Sequence, residues 1–173
     1  MVKIDKEAAA RNEILTDAAL AASDHLTAQG VAHCLVGRLG LASHGYSTGE
    51  VIDEILILLD ASEAFSQGDH GMVLTRASLP LSVGEIRVKW ATLEEPWERR
   101  LWSKELALST ESENIALGSL PLIMCLMMMS DDEDALTLAL RDGASGVAAR
   151  EILAEHEPRL AARLSAMMEA VAR

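Results

Sequence analysis

The 173-residue sequence holds only two cysteines, Cys34 and Cys125, both inside apolar runs. That count excludes a disulfide framework and suits buried free thiols in a reducing cytoplasm. Basic residues are also scarce, with 15 Lys and Arg against 27 Asp and Glu and a formal net charge of −12. Broad binding to nucleic acid or anionic lipid is thereby disfavoured, because phosphate contacts gain their free energy from cations and counterion release. A local basic pocket remains compatible with that balance. No long hydrophobic run occurs. The most apolar stretch, Leu120 to Met129, is about half of the roughly 20 residues a membrane span requires and reads as a core helix. The start MVKIDKEAAARNE has no apolar signal region, so the expected location is the cytoplasm.

What is present is a hydrophobic half of the residues, enough for one α/β domain with a core that needs no metal or disulfide. Leu15, Ala19, Ala22 and Leu26 recur at i, i+4, i+7 and i+11, one stripe of an amphipathic helix. Val31 to Val36 is a short apolar run ending at Gly37, the pattern of a buried strand, and Leu39 to His44 reads as a short helix. Ile52 to Leu59 and Ile86 to Ala91 read as central strands, the latter alternating apolar and basic side chains. Met72 to Thr75 and Leu106 to Leu108 are further strand candidates, and Pro96 to Trp102 a short helix. From about residue 117 the periodicity is helical over Leu120–Met129, Glu133–Leu140, Val147–His156 and Pro158–Val171. The expected architecture is a mixed α/β sheet of four or five strands over residues 1–116, flanked by helices, with a helical C-terminal portion over 117–173 packed on it.

Segment 36–46, VGRLGLASHGY, follows a strand and opens a helix. Such a turn is suited to phosphate, because free backbone N–H groups and the positive end of the helix dipole meet there. This organisation resembles the minimal nucleotidyltransferase fold, in particular small bacterial proteins of the AbiEii type. Val36, Gly37, Leu39, Ala42, His44 and Gly45 match that family's Val-Gly-Gly-Leu-Ala turn and the short helix ending His-Gly. The resemblance implies that Gly37 and Arg38 lie where a nucleotide would bind, that a Thr-x-Asp-x-Asp strand follows, and that a later strand supplies a third Asp.

Two-metal phosphoryl transfer needs carboxylates on one face of a sheet, and residues at i and i+2 share a face. Here Asp53 and Glu54 are adjacent, Arg38 replaces the second Gly of the turn, and the third strand offers Arg87 or Lys89 in place of an acid. In the tail, Leu126 stands where the family has Lys and Thr137 where it has the second Asp of an Asp-x-x-Asp pattern. Asp53, Glu54 and Lys89 therefore mark a degenerate catalytic site. Asp53 or Glu54 paired with Lys89 or Arg87 would fill it, the other possibility being solvated strand ends. The expected function is that of a pseudoenzyme without cofactor or metal, which binds or regulates a protein partner or forms a homodimer. The alternative is an active Mg²⁺-dependent enzyme transferring NMP from NTP to a protein, RNA or small molecule.

Other features have plainer expectations. The five histidines show no metal-ligand spacing, and His44 is expected to cap its helix. Asp131 to Asp134 suit a helix N-terminus. Met124, Met127, Met128 and Met129 are expected to pack in the core, the alternative being an adaptable binding surface. Trp97 and Trp102 pack on the sheet or serve as exposed anchors.

Overall fold

The computed structural model describes residues 6–28, 31–49, 52–59, 82–92, 96–98 and 115–173. The strand candidates Met72 to Thr75 and Leu106 to Leu108, together with Trp102, lie outside the described residues. The chain is mixed α/β. Helix α1, Lys6–Thr27, turns its Leu15, Ala19, Ala22 and Leu26 stripe fully inward. It begins well before the apolar stripe does, because the alanine-rich run before it favours a helix without contributing any periodicity.

Strand β1, His33–Val36, pairs antiparallel with β2, Glu54–Leu59. Strand β4, Ile86–Thr92, lies parallel to β2 on its other side, with Glu54 opposite Arg87 and Leu56 opposite Lys89. Strand β3, Ser82–Val83, is a short hairpin partner of β4, turning at Gly84, whose φ is +59°. The sheet order is β1-β2-β4-β3. The branched apolar composition of β1 and β2 reflects burial on both sides: Cys34, Val36, Ile55, Ile57 and Leu58 are all fully buried.

The free edge of β1 is closed by the chain entering the C-terminal portion. Leu35 N–H donates to Ala116 O at 2.8 Å and Gly118 N–H donates to Leu35 O at 2.9 Å. Only glycine fits at 118, where a Cβ would sit 2.8 Å from Val36 Cγ1 and 3.2 Å from Leu35 O.

Helix α2, Gly37–Ser43, follows β1 directly. The C-terminal portion comprises α3, Leu120–Met129, α4, Glu133–Arg141, α5, Val147–His156, and α6, Pro158–Val171. Ser119 starts α3, its Oγ accepting from Leu122 N–H at 3.3 Å, and Pro121 occupies the first turn, where its missing N–H costs nothing. This helix is buried around most of its circumference because α2, α4, α5 and α6 surround it. Met124, Met127 and Met128 are core residues, while Met129 is 40% exposed. The buried side chains of α1, the sheet and the C-terminal helices form a single cluster. No helix among the described residues is long and apolar enough to cross a membrane.

Candidate functional site

The site is built where β1 ends. Gly37 takes a φ of +68°, and a Cβ there would stand 3.1 Å from Leu56 Cβ, so the turn lies directly on β2. Gly40 allows the same closeness one turn on, its Cβ position being 3.0 Å from Ile123 Cδ1. Arg38, set between them, is half-buried and makes a forked pair with Asp132: Nε donates to Oδ2 at 3.0 Å and Nη2 to Oδ1 at 2.7 Å. The guanidinium that the sequence offers to a phosphate thus already holds a carboxylate, in the geometry that suits Arg best.

Along β2, Glu54 and Leu56 share one face, while Ile55, Ile57 and Leu59 fill the core on the other. Lys89 comes to the same place from β4, its Nζ 2.8 Å from Glu54 Oε1, with Arg87 Nη1 3.8 Å from Glu54 Oε2. The acid that pairs is Glu54. Asp53 precedes the strand and is exposed, although it lines the same cleft. That cleft has a volume of about 690 Å³, with Gly37, Arg38, Glu54, Leu56, Lys89 and Asp132 in its walls. Leu56 occupies the i+2 position beside Glu54, so a single carboxylate of β2 projects into the cleft, with a lysine already on it.

The acidic run after α3 has three separate tasks. Asp131, with a φ of +57°, turns the corner and pairs with Arg163 at 2.9 Å. Asp132 takes Arg38. Glu133 and Asp134 open α4, where they meet the positive end of its dipole, and Glu133 also reaches Arg163.

Several residues singled out in the sequence have structural work instead. His44 caps the C-terminal end of α2 as expected, its backbone N–H reaching Gly40 O and Leu41 O, and its Nε2–H donates to Gly118 O at 2.8 Å. His33 Nδ1–H donates to Val31 O at 2.8 Å, and its Nε2 is hydrogen-bonded to the buried Ser23 hydroxyl at 2.6 Å, which ties the start of β1 to α1. Trp97 is not an exposed anchor: it is buried, stacked on the His156 ring with centroids 5.0 Å apart. Thr137 Oγ1 donates back to Glu133 O at 2.8 Å within its own helix. Leu126 lines a second cavity of about 410 Å³ that continues from the first. Among the described residues no group of three or more His, Cys, Asp or Glu is arranged to hold a metal ion.

No family model, curated protein or solved structure matches this chain. The weight therefore rests on the site itself. Sequence reasoning missed the Arg38–Asp132 fork, since the partners are 94 residues apart and no local pattern joins them.

The Glu54–Lys89 pair has measurable consequences. With the two side chains 32% and 54% exposed, solvent screens most of their attraction. Lys89→Asp places like charges opposite each other beside a remaining Arg87, and is expected to cost about 1 kcal/mol, a fall of about 3 °C in Tm. Thermal denaturation checks this, and an unchanged Tm would mean that the pair carries no stability.

Proposed function

We propose that this chain is a catalytically degenerate nucleotidyltransferase-like protein that serves as a binding or regulatory module for a protein partner. The order of elements supports the reading: a strand running into a glycine turn and a short helix, an antiparallel second strand, and a third strand parallel to the second. The observation that carries it is the pair on β2. Where alternate carboxylates would hold divalent metal, the positions are Glu54 and Leu56, and Lys89 Nζ lies 2.8 Å from the one acid. A lysine supplies positive charge without the Lewis acidity that polarises a phosphoryl oxygen or orients a leaving group. Gly37 and Arg38 retain the shape of a phosphate turn, but any anion entering there competes with Asp132 for the guanidinium. The two unpaired, buried thiols suit a reducing cytoplasm.

Incubation with each α-³²P-labelled NTP and Mg²⁺ or Mn²⁺, with protein, RNA and small-molecule acceptors, tests this proposal. The expected outcome is no covalent transfer of label by either the wild type or Asp53→Ala. Metal-dependent transfer lost in Asp53→Ala would instead establish an active enzyme that uses Asp53 and Glu54 from the same cleft.

A further inference from the structure

The two cavities adjoin, and their lining includes a series of apolar side chains. They share Gly37, Leu56, Ala91, Ser130 and Asp132, so the charged cleft runs without a break into the apolar one. In this lining Leu56, Ala91 and Leu126 are half-buried, Met127 is buried and Met129 is 40% exposed. Leu56, and Leu126 where the family resemblance implies a lysine, are thus both apolar and line one continuous trough.

Its charge is one-sided. Among the described residues the lining holds two cations, Arg38 and Lys89, and six acids; Asp132 and Glu54 hold those cations, Asp131 is held by Arg163 and Glu98 is buried, which leaves Asp53 and Glu157 facing the trough. Asp53 lines only the first cavity and Glu157 only the second. The surplus is therefore negative, with the same sign as the whole chain at −12, and it draws cations inward. Methionine in the lining adapts to side chains of differing shape.

We infer that this trough is a docking groove for a basic peptide segment of a partner protein, one that carries long apolar side chains between lysines or arginines. The inference rests on the reading of the cleft as a protein-binding site and names where the partner sits and its chemistry. An acidic peptide or a nucleic acid meets like charge there.

Fluorescence anisotropy of the full chain tests the groove, using a fluorescein-labelled twelve-residue probe that repeats Lys-Leu-Leu-Lys and a second probe with every Leu changed to Ser. Saturable binding of the first probe is expected, with the second weaker by about tenfold or more, since apolar burial adds to charge. Met129→Lys should weaken the first probe by about tenfold. Ile14→Lys makes the same change of charge at a residue 57% exposed on α1, outside both cavities, and should leave binding within about twofold. Absence of binding, equal binding of both probes, or equal loss in both variants would overturn the groove. So would a dimer in sedimentation equilibrium that Met129→Lys dissociates, since a second copy would then be the occupant. Label transfer from NTP would overturn the pseudoenzyme reading, whereas a silent groove without transfer overturns only the docking site.

Discussion

Replacing Gly37 by valine is expected to lower the melting temperature by about 10 °C, from a loss of about 3 kcal/mol. Two effects add. At a φ of +68° any L side chain is strained by about 1–2 kcal/mol, and a β-branched one by more. The new Cβ would then press on Leu56 Cβ from 3.1 Å, and a packed strand cannot yield without disturbing the core behind it. Gly45 separates the two effects, because its φ is +89° but a Cβ there meets nothing within 4 Å. Gly45→Ala should therefore cost only the backbone term, about 1 kcal/mol, and Gly37→Ala distinctly more. Chemical denaturation of the three variants measures the difference. Equal losses for Gly37→Ala and Gly45→Ala would show that the turn does not lie on β2 as described. The effect reaches function, since Gly37 and Leu56 form the wall common to both halves of the cleft.

The second large effect is alkaline. Burial pushes the Cys34 and Cys125 thiols up to about 12, from 9.0. Both are essentially inaccessible, and Cys125 Sγ–H makes a weak donation to Ala149 O at 3.7 Å. Between those limits the unfolded chain has released protons that the native state still holds. Stability consequently falls as pH rises through that window, by about 1.4 kcal/mol per pH unit for each thiol, and is fully retained below pH 8. The wild type should lose about 3 kcal/mol per unit near pH 10 from the pair. Urea denaturation at a series of pH values checks the slope against Cys34→Ala/Cys125→Ala, which is less stable at pH 7 because of its cavities but should show the flatter curve. Iodoacetamide at pH 8 should label the wild type only as fast as the protein opens. Parallel slopes, or rapid labelling of the folded chain, would contradict the burial of these thiols.

The legible parts of the fold were those in which local composition and final burial coincide. Ile52 to Leu59 is branched and largely apolar, Ile86 to Ala91 alternates apolar with basic side chains, and the strands run over Glu54–Leu59 and Ile86–Thr92. The helices from Leu120 onward follow their periodicity nearly residue for residue, because each presents a distinct buried face or, for α3, is enclosed. Strand β3 was not legible: two residues, one of them exposed, carry no pattern. In the site, alternation along Ile86 to Ala91 placed Lys89 and Arg87 on the face opposite Val88, and a parallel register then carried Lys89 to Glu54. The choice between Asp53 and Glu54 was not readable, since it depends on where β2 begins. Trp97 against His156 and Arg38 against Asp132 are contacts between distant segments, fixed only when the helices dock.

The pairing of residues 116–118 with β1 bears on how the chain holds together as a unit. A division after residue 116, where the composition turns helical, cuts through the very segment whose backbone closes the β1 edge. Severed there, the first part would present Leu35 with an unmet N–H and carbonyl on a strand that is apolar on both faces, the arrangement most prone to recruit strands from neighbouring molecules. The second part would bare the α3 side chains that α2 now covers, an adhesive surface on a fragment of four helices. Neither half is a module that could be exchanged, fused or expressed alone, so natural insertions and engineered tags belong at the termini rather than at this apparent seam.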